Sequence, residues 1–476
     1  MHEGGRISMK RSPATVIILA VLFAGGMIHW LWFLNYGHMS FNHHDWGKEF
    51  IYYSILRHAI TSGTMPYHIP LAFQGTNRFL ALPETNLSPQ IFLLPLMSVG
   101  KFLVLNVLLL YSAGFVGSLL LKRRYGLSLL SFTVFFLLFN FNGHIVAHLG
   151  VGHSMWAGYF LLPFLFLFLL ELLEGAPWRT SSIKIAFVIS AILLQGSFHV
   201  YIWCLLFLIL LLAFNWRFAK PLVTAIVVSG VLSAYRLLPA LFALWGKKEK
   251  FVWSYPTPLE LLDALTTIRE QPPERLRPWG NAGWWEYDIY VGLVGLALIL
   301  VFGVWLRFNK REEFDRLRFA ALDVPIFAMA LLSVSYFQAF ITRIPVPILK
   351  SERVPMRFIV IPVVLLALLS SIRMEAVLAR VKQTFKLRFV AIATLVLMAL
   401  SFLDHSYLWS IGRLDKQFAS RAADLTVPPI ESVPDSLYKA IVTASIAVSL
   451  AALAAAVYFL LRFRKTSQAG RSQPDR

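Results

Sequence analysis

The sequence predicts an all-α polytopic membrane protein with about twelve transmembrane helices. Three observations carry that expectation. Of 476 residues, 58% are hydrophobic and 14% charged, against roughly 25% charged in ordinary soluble domains. The apolar residues come in blocks, most of them near the ~20 residues a helix needs to cross the hydrocarbon. Lipid admits only segments whose backbone is satisfied internally, so these blocks read as helices. Third, the Lys and Arg residues flank the blocks instead of gathering in one polar patch. The net charge of +19 therefore points to membrane surfaces and away from nucleic acid. The single cysteine, Cys204, sits inside an apolar block, so no intrachain disulfide exists.

The expected spans are 14–34, 102–121, 126–142, 155–173, 183–197, 199–215, 221–238, 288–306, 322–341, 358–372, 388–404 and 440–461. The first is longer than the 7–15 apolar residues of a signal peptide, and NYGHMSF after it has no small-x-small cleavage site, so it reads as an uncleaved span. Span 358–372 is framed by Arg357 and Arg373, which are expected to snorkel to the headgroups. One side of the bundle gathers 25 of the 44 Lys and Arg in short segments, for a net charge of +16 against +3 on the other. The short basic side is expected to be cytoplasmic, with both termini inside and the plasma (inner) membrane as location. The chain then forms one polytopic domain over 1–476. Long external loops fall at 35–101, 246–287 and 405–439.

The first external loop is the most informative. DWGKEFIYYSILRHAITS (45–62) has helical character, with Trp46, Phe50, Tyr53, Leu56 and Ile60 on one side. Glu49 and Arg57 interrupt that side, so the amphipathic signal is moderate; the segment reads as an in-plane helix on the outer leaflet. Asp45 stands at its start. One reading makes it a helix N-cap, which Asp favours. The other makes it a general base, held within hydrogen-bond reach of a hydroxyl. The following stretch to Leu96 is punctuated by Gly63, Pro66, Pro70, Gly75, Pro83 and Pro89 and reads as loop with short turns. Within it, SPQIFLLPLMSVG (88–100) is apolar but too short and Pro-broken to span, so it lies on the membrane or dips into it.

An acidic residue in the first external loop, an in-plane helix, then GTMPYHIP and a later SPQ before an apolar helix resemble the GT-C superfamily. These are integral membrane glycosyltransferases that use lipid-phosphate-linked sugars. FNGHIVAHLGVGHSMWAGYFLLPFLFL (141–167) and RVPMRF (353–358) are similar to its YfhO-like branch. The match covers about a third of the chain, in patches. The resemblance implies that Asp45 is the catalytic base on an acceptor hydroxyl. It further implies that a basic residue near RVPMRF, Arg353 or Arg357, binds the donor phosphate. Many members carry two adjacent acidic residues in this loop. Here the neighbours are His43, His44 and Trp46, so no metal is assigned and a divalent cofactor stays open.

Residue chemistry supports the phosphate assignment separately. PVPILKSERVPMRF places Lys350, Arg353 and Arg357 beside a span, and guanidinium groups bind phosphate bidentately and stabilise developing charge. Interfacial arginines also bind headgroups; the prolines that restrict this backbone favour function for the cluster. Arg236, near the outer end of another span, is a further phosphate candidate, or snorkels to a headgroup. His144 and His148 share a helix face at i, i+4, with His153 following. They resemble a partial zinc site but lack further ligands, so a substrate-lining role is assigned to His144, His148 and His153, and to His43 and His44. In RPWGNAGWWEYDIY, Trp284 is a candidate sugar-stacking residue and Glu286 and Asp288 are second-choice carboxylates.

The leading expectation is a glycosyltransferase. It moves a sugar from a polyprenyl-phosphate donor to a hydroxyl on a glycan, glycolipid or protein. The alternative is a multi-span transporter or lipid flippase, which predicts ionisable residues and broken helices near the bilayer midplane. A non-catalytic membrane subunit is a third class. The enzyme reading requires Asp45 and the 350–357 basic cluster to open onto one cavity.

Overall fold

The computed structural model describes residues 13–73, 76–244, 253–279, 282–308, 319–337, 353–382, 384–420 and 425–469. Lys350 lies outside them. The described chain is largely helical. Eight of its helical segments are long and apolar enough to cross a membrane, or nine if one pair bent by 75° counts as a single span. These helices mark an integral membrane protein.

The eight are α1 (Pro13–Phe33), α3 (Val99–Tyr125) after the surface helix α2 (Trp46–Ser62), α4 (Leu129–Asn140) continued by α5 (Gly143–Gly150), a 3-10 turn running into α6 (Leu162–Leu173), and four later segments. α7 (Trp178–Leu194) and α8 (Phe198–Phe214) are 17 residues each, about 25 Å of helix, short of a ~30 Å hydrocarbon core. The bent pair follows, α9 (Ala219–Leu232) and α10 (Ala234–Leu244). Next come the short α11 (Pro258–Thr266) and α12 (Trp284–Tyr287). α12 leads into the span made of α13 (Gly292–Leu298) and a π-helical turn at Ile299–Val304. α14 (Asp323–Leu332) is short. The last spans are α15 (Val360–Leu378), α16 (Phe385–Trp409) with its continuation α17 (Ile411–Gln417), and α18 (Ser436–Ala469). Length and composition thus support eight or nine crossings among the described residues where twelve were expected: α7, α8 and α14 are too short, and 338–341 of the expected ninth span lie outside the described residues.

Hydrophobicity on every face sends a helix to the centre. The most apolar stretch of Pro355–Leu378 is almost wholly buried, whereas that of Phe385–Gln417 is mostly exposed. The outer helices expose Val390, Ile392, Val396 and Leu400, as a lipid-facing surface would. Arg357 and Arg373 do not snorkel as expected. Both are buried: Arg357 turns inward, and Arg373 donates to the carbonyls of Phe302 and Gly303 at the π turn. A π turn breaks the regular ladder of α-helical hydrogen bonds, and a fixed guanidinium is well suited to satisfy its carbonyls.

The stretch expected to be loop holds a β-hairpin, β1 (His68–Phe73) antiparallel to β2 (Thr76–Arg78), with His68 opposite Arg78. Asp435 clamps it, accepting from Arg78 at 3.0 Å and lying 3.2 Å from His68 Nε2. The SPQ segment forms a 3-10 helix, Pro89–Leu96, that exposes Phe92 and Leu96. The 405–417 part of the expected last external loop is instead helical, continuing from α16 through α17.

Candidate functional site

Asp45 occupies the N-cap position of α2 but makes no capping hydrogen bond with its side chain. Its carboxylate is used elsewhere. Oδ2 accepts from Lys48 Nζ at 3.0 Å and lies 3.2 Å from His153 Nε2. The backbone makes this meeting possible. Asp45 N donates to Val151 O at 3.0 Å, and Gly152 follows at φ +91°. A Cβ built on Gly152 would lie 2.5 Å from Trp46 N, so glycine serves both the left-handed conformation and the close approach.

Lys48 is shared. Its ammonium also reaches Glu84 Oε2 at 3.0 Å, and His199 Nε2 stands 3.8 Å from the other Glu84 oxygen. Here Gly196, at φ +83°, lets the turn before α8 pass against Glu84, whose carbonyl oxygen would be 2.3 Å from an added Cβ. Arg236 secures the same strand from behind. It is fully buried and donates to the carbonyls of Leu80, Leu82 and Thr85.

Burial opposes charge at each of these groups, and pairing decides the outcome. For Asp45, burial pushes the carboxyl up, but His153 and Lys48 together hold it below the usual range. Glu84 is likewise held well below its range, by Lys48 and His199 against burial. Lys48 is raised above its ordinary value because Glu84, Asp45 and Glu49 outweigh its burial. Glu49 goes the other way: burial pushes it up to about 8 despite Lys48. It sits on the packed face of α2 with Ser154 donating to one oxygen.

Facing this group is the start of α15. Arg357 donates twice to Glu286, from Nε and Nη2 at 2.7 Å each, and its guanidinium lies 4.9 Å above the Trp156 ring. The backbone of Trp253 bonds to Arg353 and Met356, fixing this strand beside α12. Between the two walls lies a cavity of about 330 Å³. Asp45, Lys48, Glu84, His153 and His199 line one part, and Glu286, Arg353 and Arg357 another, with Trp156, Trp285, Tyr52 and His44 between them. Asp45 and two members of the basic cluster therefore open onto one void, although more than three hundred residues separate them.

Several other expected site residues stand elsewhere. Arg236 does not line this cavity; three backbone carbonyls occupy its guanidinium. Asp288 is buried away from it, accepting from His405 (2.8 Å), Trp409 Nε1 (3.0 Å) and Tyr290 N (3.1 Å), and so serves as a structural anchor. Trp284 packs inward against Tyr287 and Arg269, and its neighbour Trp285 faces the cavity instead. His43 is buried against Asp415 at 3.2 Å and Phe418. His44 lines the cavity beside Trp285. His144 and His148 sit behind Trp156; only His153 of the three reaches the void. Among the described residues no group of three or more His, Cys, Asp and Glu is placed to hold a metal ion.

Sequence reasoning missed Glu84, Tyr52, Trp156 and His199 as lining residues and favoured Trp284 over its neighbour Trp285. Lys48 and Glu49 were visible only as charges near Asp45.

In comparisons with protein-family models, curated proteins and solved structures, nothing matches this chain. The cavity and the order of motifs are what bear on function.

Proposed function

We propose that the chain is a membrane glycosyltransferase of GT-C type. It moves a sugar from a polyprenyl-phosphate donor to a hydroxyl acceptor on the outer face of the inner membrane, with both termini cytoplasmic. The acceptor is a glycan, glycolipid or protein. The observation that carries the reading is the shared cavity of Asp45, Arg353 and Arg357 at one end of an apolar helix bundle.

In this scheme the acceptor oxygen attacks the anomeric carbon as the bond to the lipid phosphate breaks, so configuration inverts. The hydroxyl proton passes to Asp45, and Arg353 and Arg357 receive the phosphate. Lys48 and His153 keep Asp45 ionised at neutral pH, as a base must be. A depressed carboxylate is a weak base, and the shared lysine offers a remedy. Moving the Lys48 ammonium toward Glu84 raises the basicity of Asp45 at the moment of transfer. Trp285 offers an apolar ring for a sugar, whereas the Trp156 ring is already covered by His148, His199 and Arg357. A divalent ion between Asp45 and Glu84 would have to displace Lys48, which both carboxylates already engage.

The test is sugar transfer in membranes with a panel of polyprenyl-phosphate sugars, comparing the natural chain with Asp45→Asn. Product from the natural chain that falls by two orders of magnitude or more in the variant supports the base, on the scale of about 10²–10⁴ for general bases. Equal product from both refutes the assignment. No product from either, with donor lipid crossing reconstituted bilayers, selects the transporter or flippase reading.

A further inference from the structure

His148 is fully buried on α5 and does not line the cavity. Yet its Nδ1 stands 2.7 Å from Nδ1 of His153, whose Nε2 stands 3.2 Å from Asp45 Oδ2. We propose that His148 is a positioning residue, which fixes the tautomer of His153 so that an N–H always faces Asp45. The role in transfer rests on the glycosyltransferase reading; the tautomer lock does not.

An ionised carboxylate only accepts, so His153 carries its proton on Nε2. An imidazolium at His153 would donate from Nδ1 as well and force the His148 proton onto its Nε2, which is buried without a partner among the described residues; with one proton, on Nε2, His153 has a bare Nδ1. Two bare nitrogens cannot face each other at hydrogen-bond distance, so His148 must donate from its own Nδ1. That leaves Nε2 of His148 bare, buried and without a hydrogen-bond partner among the described residues. The opposite arrangement puts an N–H at that buried position. A stranded buried donor carries its full desolvation penalty, and orphaned N–H groups are rarer than under-satisfied acceptors. The ring has no freedom to escape the choice. It stacks on Trp156 at 4.6 Å with 18° between planes, and His144 meets it edge-on at 4.4 Å. His153 also lies between the α5 end and α2, so the lock runs from the packed interior to the cavity wall.

Without His148, the Nδ1–H form of His153 becomes available. Its bare Nε2 would then face the Asp45 carboxylate, lone pair against charge, and the carboxylate would turn away. Asn at position 148 is the conservative replacement, because its amide NH₂ stands close to where Nδ1–H stood. Leu removes the donor and keeps the apolar packing.

The experiment uses the full chain in lipid nanodiscs, with ¹⁵N-labelled histidine. Imidazole nitrogen shifts are expected to show His153 protonated on Nε2 and His148 on Nδ1. In His148→Leu the His153 signal is expected to move to a mixed or Nδ1–H form, and His148→Asn should restore it. Transfer with the polyprenyl-phosphate sugar panel should show kcat down about tenfold or more in His148→Leu, less than the ~10⁴-fold loss from a wrong tautomer at a catalytic base itself. KM should be nearly unchanged, and the Asn variant should recover most of the rate. A natural chain with His153 protonated on Nδ1, or an unchanged His153 tautomer in His148→Leu, overturns the lock. A changed tautomer with unchanged kcat overturns the positioning role. If the natural chain makes no product, the transfer reading fails, and the nitrogen shifts alone decide the lock.

Discussion

Glu49 offers a stability test that needs no substrate. Its carboxyl is 2% exposed, and burial places it at about 8 in the fold against an ordinary 4.5. Between these values the folded chain holds a proton that the unfolded chain has released. Stability from this group is therefore fully present below pH 4.5 and lost as pH rises toward 8. Each pH unit in that window costs about 1.4 kcal/mol, so the burden at pH 7 is about 3 kcal/mol. Glu49→Gln keeps the volume and an acceptor for Ser154 but cannot ionise. The variant is expected to exceed the natural chain by less than about 1 kcal/mol at pH 5 and by about 3 kcal/mol at pH 7, and the difference should level off above pH 8. Asp45 and Glu84 are held below their usual range, so their own contributions change only in acid and do not blur this window. The assay is thermal unfolding of the purified chain in detergent across pH 5–9. Parallel stability curves for the two chains would show that Glu49 is ionised in the fold and that the reasoning about its burial is wrong.

The Arg357–Glu286 pair is buried on both sides. Glu286→Gln should lower stability by about 3 kcal/mol, because it strands a buried guanidinium. The double variant Glu286→Gln/Arg357→Gln should recover part of that loss, and strictly additive losses in thermal unfolding would contradict the pairing. Arg236→Met removes the donor to three loop carbonyls. It should cost about 3 kcal/mol and open the 80–87 segment to protease. An unchanged melting temperature and digestion pattern would show that the loop is held by other means.

How much of this was legible in the sequence differs by level. Apolar blocks locate helices well, because lipid leaves the backbone few other choices. They do not say which helices sit in the middle, and that placement decides where Arg357 and Arg373 point. The surface helix was legible, with its most useful signal in plain view. Glu49 interrupts the apolar side of α2, which reads as weak amphipathicity when it is a buried carboxylate. In WWEYD the error was one residue: neighbours on a helical turn point about 100° apart, so Trp285 faces the cavity where Trp284 packs inward, and Glu286 faces it where Asp288 does not. Glu84 had only the faint signal of a lone acid in a Pro-punctuated stretch. No spacing rule links it to Lys48, 36 residues away, because the link is made by the Gly196 turn and the Arg236 staple.

The charge balance of the cavity sharpens the proposed chemistry. Asp45, Glu84 and Glu286 face Lys48, Arg353 and Arg357, three carboxylates against three cations. Such a site has no surplus positive charge waiting for a phosphate, and a donor must win its contacts from groups already paired. Arg357 presents Nε and Nη2, the edge suited to a bidentate phosphate, to Glu286. Arg353 is exposed at the cavity wall. On the proposed reading, the donor phosphate meets Arg353 first and reaches Arg357 only as it displaces Glu286. The pair then works as a gate on phosphate entry. Removing Glu286 should tighten donor binding even as it weakens the fold, a pairing of effects that a purely structural salt bridge would not produce.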